Sequence, residues 1–330
     1  MTPFIISLGD PAGIGPEVTA LAWEARNRSA LPAFVAVGDI ESIRAVWDGP
    51  VKQVDNLVDG SANFADALPV WHVEDSGPLT PGLPTAAGAH CALHALELGV
   101  GMSKTGDAAG IITAPICKDQ LYQVGFAHAG QTEFIADRCG VSRTNAVMML
   151  AGSGLRVVPI TVHVPMRDVP ELLTIDLVVA KTLATARGLV RSFGIARPRL
   201  ALAGYNPHAG ENGSIGREEV EILIPAIAQL CAEGLDVTGP HSPDALFTPH
   251  ARSGYDAAMC IYHDQALIPL KALYFDEGVN ITLGLPIVRT SPDHGTAFNI
   301  AGTRTASAGP MIAAIRMAND IANQRAEDAG

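Results

Sequence analysis

Cysteine is scarce in this chain and never paired: Cys91, Cys117, Cys139, Cys231 and Cys260 are scattered, odd in number and form no CxxC. Neither a disulfide framework nor a cysteine-built zinc site is expected, and a reducing cytoplasm is the expected compartment. Uninterrupted apolar runs fall short of the roughly 20 residues that cross a bilayer, and MTPFIISLGD at the N-terminus lacks a basic stretch ahead of a long apolar core. No membrane segment or export signal is therefore expected. Basic residues are outnumbered, 22 Lys and Arg against 34 Asp and Glu, for a formal charge of −12. That balance argues against nonspecific binding of nucleic acid or anionic membrane, and any anionic substrate must be met by local basic groups. Also missing are a GxGxxG fingerprint, a Walker loop and a GxSxG nucleophile elbow, so a Rossmann-type cofactor turn and serine hydrolase chemistry are not supported.

What the chain does have is alternation. Short apolar runs read as buried strands at 4–7, 33–38, 109–114, 146–152, 155–163, 199–205, 257–263 and 279–284. Helix-like segments lie at 85–103, 176–193, 217–233 and 305–326, and DSGPLTPGLP at 75–84 reads as a loop. This is the pattern of an α/β protein with a largely parallel or mixed sheet. Its 330 residues suit two lobes, since single domains usually run to about 100–200 residues.

In such folds ligands sit beyond the carboxyl ends of strands, and polar clusters fall there repeatedly. SLGDPAGIGPE, Ser7 to Glu17, is a Gly-rich turn between a strand and a helix; it reads equally as a tight connection or as backbone that approaches a ligand closely. Three histidines arise in one topological position: His163 after VVPIT, His208 in GYNPHAGENG, and His263 after AAMCIY. Any one alone is more often a hydrogen-bonded surface residue. Together, three neutral imidazoles with an open position suit zinc or a similar divalent ion, with Asp168 or Asp264 as a supporting partner. Lys271, Asn280 and Arg289 form a candidate anion-binding set, against the plain reading of solvated charges. His90 and His94, spaced i,i+4, are read as helix-surface or packing residues, and His72, His241 and His250 have no supporting cluster in the sequence.

The words GDPAGIGPE, GQTEF, HVPMRD, NPHAGENG, YHDQALIPLK, GVNITLGLP and RTSPDHGTAF, in this order from about Ile6 to the last helix, resemble the PdxA family of 4-hydroxythreonine-4-phosphate dehydrogenases of vitamin B6 biosynthesis. The resemblance implies an α/β fold of the isocitrate/isopropylmalate dehydrogenase type, with two α/β/α domains and the active site in the cleft between them. The first domain would comprise 1–125 plus 285–330 and the second, carrying the metal and the dimer contact, 126–284. It implies His163, His208 and His263 as ligands of one divalent metal (zinc, magnesium or cobalt). Gln131, Thr132, Asp244, Lys271, Asn280 and Arg289 would contact substrate, with Lys271 and Asp244 in catalytic roles. His294 and Gly295 would lie near NAD or NADP, and a homodimer would share its site between subunits. The implied reaction oxidises 4-phosphooxy-L-threonine at C3 to 2-amino-3-oxo-4-phosphooxybutanoate, which decarboxylates to 3-amino-2-oxopropyl phosphate. One position departs from the family pattern: many members have histidine where this chain has Gln131, and glutamine cannot carry a proton charge. That leaves open relatives acting on 4-phospho-D-threonate, 4-phospho-D-erythronate or a dihydrodiol carboxylate. From the residues alone, a metal-dependent hydrolase or aldolase without NAD, or a phosphometabolite-binding protein, also stays open.

Overall fold

The computed structural model describes residues 2–328 and divides into two compact units: the chain up to Gly140 with Leu285–Asn323, and Val141–Gly284 with the chain from Gln324. Both are α/β, the class expected. In the first unit, β1 (Phe4–Ser7), β2 (Phe34–Gly38), β3 (Val51–Val54), β4 (Leu68–His72), β5 (Ile111–Thr113) and β12 (Arg289–Pro292) lie in the order β3-β4-β2-β1-β5-β12. Every adjacent pair with a recorded register is parallel. In the second, β6 (Val147–Gly152), β7 (Leu155–Pro159), β8 (Arg199–Ala203), β9 (Asp236–His241), β10 (Ala257–Cys260) and β11 (Val279–Leu283) lie in the order β11-β6-β7-β10-β8-β9. There β6 runs antiparallel to both neighbours, while β7, β10, β8 and β9 are parallel.

The central strands are apolar along their whole length because helices cover both faces of a parallel sheet. FIIS of β1, FVAVG of β2 and AAMC of β10 are buried throughout. Burying one such Val, Leu or Ile is worth roughly 1.5–3 kcal/mol. The helices that matter below are α1 (Gly15–Glu24), α2 (Ala86–Thr105), α3 (Gln131–Arg138), α4 (Ile175–Phe193), α5 (Ile224–Ala232), α6 (His263–Tyr274) and α7 (Gly309–Glu327). Their ends follow local chemistry. Thr85 and Thr174 cap α2 and α4 by accepting from Gly88 N and Leu177 N, and left-handed Gly106 and Gly194 end them. No helix of the described residues is long and apolar enough to cross a membrane.

Several elements differ from the sequence expectation. β3 (VKQV) and β9 (DVTGPH) are half-exposed end strands without an apolar run, β4 contains Pro69, and β12 (RTSP) is buried although polar. The strand expected over 155–163 ends at Pro159, although Ile160 N and Thr161 N still donate to Cys260 O and Ile261 O. The strand expected over 257–263 ends at Cys260, and His263 opens α6 instead. The helix expected over 217–233 is a wide π turn at Glu219–Leu223 followed by α5.

Candidate functional site

The three candidate ligand histidines all belong to the second unit and follow three neighbouring parallel strands, β7, β10 and β8. His163 and His263 are brought together, their ring centroids 5.4 Å apart, and they line a cleft with Thr161, Met166, Tyr262 and Asp264. Thr161 fixes the pairing of the two strand ends, its hydroxyl donating to Ile261 O at 2.7 Å. Asp264 Oδ1 lies 2.7 Å from His263 Nδ1, the contact that sets which ring nitrogen faces outward. Asp168, the other expected supporting residue, sits in the turn Met166–Asp168 and contacts Arg167. His208 does not join the pair: among the described residues these three histidines form no set of ligand atoms mutually within 4.8 Å.

His208 has its own frame. The segment Pro207–Gly213 turns with left-handed backbone at five successive residues, His208 to Asn212, with φ of 52°, 51°, 76°, 43° and 57°. Each non-glycine residue held there costs roughly 1–2 kcal/mol, so something must impose the turn. Glu219, 1 % exposed, does so: Oε1 accepts from Tyr205 N at 2.8 Å and Asn206 N at 2.7 Å, and Oε2 accepts from Asn206 Nδ2 at 2.9 Å. A Cβ on Gly210 would lie 2.5 Å from Glu219 Oε2, so only glycine fits. His163 is also left-handed, φ 54°. Buried Gln265 joins the frames, its amide donating to Gly204 O at 2.7 Å while Oε1 accepts from Ile261 N at 2.6 Å. Sequence pattern marks neither Glu219 nor Gln265 as buried: Glu219 lies among Arg217, Glu218 and Glu221, and Gln265 directly follows His263 and Asp264.

A second constellation is built inside the first unit. Arg289 opens β12 and is 4 % exposed. Its Nη2 donates to Thr113 Oγ1 at 2.9 Å and to Gln131 Oε1 at 3.2 Å, and Nη1 to Thr132 Oγ1 at 3.4 Å. Gln131 Nε2 in turn donates to Ala114 O at 2.9 Å, which fixes the amide. Gln131 and Thr132 are the first residues of α3, whose Gly130 cap has no side chain, leaving N–H groups and the positive end of the helix beside the guanidinium. Burial pulls the Arg289 pKa down to about 10, with Glu133 opposing, so the charge is retained at neutral pH. A buried cation, two hydroxyls and a helix start are what a phosphate needs.

Comparison with known proteins bears on both constellations. The family model described as "Pyridoxal phosphate biosynthetic protein PdxA" matches residues 30–318. A protein from Erythrobacter litoralis named 4-hydroxythreonine-4-phosphate dehydrogenase is 52% identical over 330 residues, covering 98% of each chain. The chain belongs to the PdxA family. Among solved structures, the 4-hydroxythreonine-4-phosphate dehydrogenase of Klebsiella pneumoniae superposes with a TM-score of 0.85 at 36% identity, covering 97% of this chain and 98% of that one. A terephthalate 1,2-cis-dihydrodiol dehydrogenase from Burkholderia xenovorans matches more weakly, TM-score 0.64 at 28% identity, covering 97% and 98%.

In this PdxA chain the remaining candidate residues are distributed between the units. Lys271 stands eight residues beyond His263 on α6, about 12 Å along the helix axis at 1.5 Å per residue. Asn280 lies on β11, its Oδ1 buried with no hydrogen-bond partner. Asp244 is exposed at the start of the turn Pro243–Leu246, where the Ser242 hydroxyl at 2.5 Å, helped by nearby His208, lowers its pKa. His294 Nδ1 lies 3.0 Å from Gly295 O, and a Cβ on Gly295 would meet open space. This segment packs on the Gly-rich turn: Ile14 N donates to Thr296 O at 3.0 Å. In that turn Gly9, φ 67°, approaches Pro115 O too closely for any Cβ, and Asp10 is buried, its pKa raised by desolvation although Ala12 N donates to it. His72, which has no cluster in the sequence, does have one in space. It stands with Asp39 and Asp75 as the one group of three or more candidate ligands mutually within 4.8 Å among the described residues. Asp39 accepts from Glu41 N, Ser76 N and Ser76 Oγ, and His72 Nδ1 accepts from Ile40 N, so these atoms already serve as a helix cap and loop anchor.

Proposed function

We propose that the chain oxidises 4-phosphooxy-L-threonine at C3, with NAD or NADP as hydride acceptor and one divalent metal per site. Family membership carries the reaction class, and the observation that carries the substrate class is the buried Arg289 held by Thr113, Gln131 and Thr132 at the start of α3. We place the phosphate there, with Lys271 and Asn280 as further substrate contacts; the buried Asn280 Oδ1 awaits a donor such as the substrate's ammonium. The first unit is the cofactor side, using the turn from Gly9 to Ile14 and the segment at His294 and Gly295. The second is the metal and dimer side. Nine of the twelve large apolar side chains left exposed among the described residues lie in it, including Ile268 and Phe275 at the end of α6, which is the distribution a dimer face requires.

The donor set fits a divalent ion: neutral imidazoles at 5.4 Å ring separation, one oriented by Asp264, and a third on a turn strained into one conformation. His163 and His263 of one protomer would hold it with His208 of the partner subunit, because the three do not converge within one chain. The bound metal supplies Lewis acidity that lowers the pKa of the C3 hydroxyl. The chain's groups do the rest. Arg289 and the α3 start fix the phosphate and so limit the orientations the substrate can take. A nicotinamide bound in the first unit would take the C3 hydride, and the hydroxyl proton passes to a base for which Lys271 and Asp244 are the candidates. The product is a β-keto acid; its C1–C2 bond breaks, CO2 departs, and C2 takes a proton to give 3-amino-2-oxopropyl phosphate.

The test is NADH or NADPH formation by chelator-treated protein after divalent metal re-addition, with 4-phosphooxy-L-threonine, 4-phospho-D-threonate and 4-phospho-D-erythronate side by side. Metal-restored turnover of the threonine compound is expected. Turnover of the sugar acids alone would move the assignment to a related dehydrogenase, with Gln131 the first residue to revert to histidine.

A further inference from the structure

Three of the chain's ten histidines converge on one short connection that the proposed reaction does not use. It runs from the end of β4 through Glu74 and Asp75 to α2. His90 and His94, one turn apart on α2, both face the Glu74 carboxylate: His90 Nδ1 lies 3.0 Å and His94 Nδ1 3.6 Å from the same Oε2. The side chains are 60 %, 51 % and 38 % exposed, so an ion can reach them; their ligand atoms are not mutually within 4.8 Å as they stand, and the rings must turn toward one another to share it. The backbone beneath is fixed. Cys91 Sγ donates to Glu74 O at 3.4 Å, and the next residue, Asp75, contacts His72 Nε2 at 3.2 Å within the loop anchor described above. The hydrogen bond from His90 leads the causes that keep the Glu74 carboxyl below its ordinary range, so the oxygen is an anion at neutral pH.

We propose that Glu74, His90 and His94 form a second divalent-metal site, of the class that prefers imidazole: Zn2+, Ni2+ or Cu2+ rather than Mg2+ or Ca2+. Two histidines at i,i+4 and one carboxylate are a known zinc donor set, with the fourth position left to water. In the metal-free chain the shared carboxylate oxygen hydrogen-bonds His90 and stands near His94; the ion replaces these contacts and releases any proton they hold. The site pins the 73–85 connection to α2. That connection lies against the Gly-rich turn, Gly82 N donating to Ala12 O at 2.7 Å.

The test titrates Zn2+ calorimetrically into chelator-treated full-length protein in a His163→Ala/His263→Ala background, which removes the pair proposed to serve catalysis. One zinc per chain is expected, lost in the added His90→Ala/His94→Ala variant. Glu74→Gln should weaken binding about tenfold or more, at least what losing even an outer partner of a metal site costs. Circular dichroism checks the fold, and His94→Gln alone, an exposed and nearly isosteric change, gives a second reading. Equal zinc uptake with and without His90 and His94, or uptake only at millimolar zinc, overturns the site.

Discussion

The arginine pocket of the first unit and the histidine cleft of the second are built in opposite ways. Arg289 is 4 % exposed, and its named partners Thr113, Gln131 and Thr132 all come from its own unit. His263 is about one-third exposed, it contacts the exposed Asp264, and only one of the other two histidines stands beside it. The first is preorganised: the cost of burying a guanidinium is met during folding, so the phosphate proposed for it would find donors already aimed. The second brings only two of its three histidines together within one chain, and on the proposed reading its completion depends on association. Binding and chemistry should therefore respond to different perturbations.

The largest effect is expected at the cleft. His163→Ala or His263→Ala should lower kcat by about 10^3-fold or more, with loss of bound metal, because the developing alkoxide loses its stabilisation; metal analysis alongside NADH formation checks both. Normal turnover without metal would remove the cleft from the account. Arg289→Ala should raise KM and cost roughly 2–5 kcal/mol in kcat/KM, as for truncating a buried charged contact. Metal content should be unchanged. The sign of its pH dependence follows from the pKa near 10: the guanidinium is charged below that value, so substrate affinity on this arm is lost as pH rises through about 10. Glu219→Gln should cost about 1–3 kcal/mol of stability, because its amide oxygen can keep the two backbone N–H groups only by turning its NH2 donor toward the Asn206 amide donor. A lowered Tm, with activity lost at His208 rather than at His163, is the expected pattern. Gln131→His should be the mildest, within about tenfold near pH 8, since a neutral imidazole can still accept from Arg289. It should worsen below the histidine pKa of about 6.5, where imidazolium faces guanidinium.

Much of this was legible in the sequence and some was not, for physical reasons. The continuous apolar runs of β1, β2 and β10 announce strands buried on both faces, and the helix-like segments at 85–103 and 176–193 correspond to α2 and α4. β3 and β9 were hidden because an exposed end strand has no reason to be apolar, and β12 because its polar residues are buried for their partners: Arg289 for the pocket, and Thr290 to donate to Ala314 O. The three histidines were visible from their shared position after β7, β8 and β10. What pattern could not give was His263 as a helix start, or the buried Glu219 and Gln265 that shape the turns. Those roles depend on contacts 13 and 61 residues away in the chain.

The proposed contrast between a pocket built within one chain and a cleft completed by two is tested most directly with mixed dimers. Two differently tagged chains, one carrying His208→Ala and the other His163→Ala/His263→Ala, are each expected to be inactive and metal-depleted. A purified heterodimer of the two should regain metal and NADH formation at one of its two sites, because one protomer supplies His163 and His263 and the other His208. A heterodimer as inactive as its parents would contradict the account and return all three ligands to a single chain.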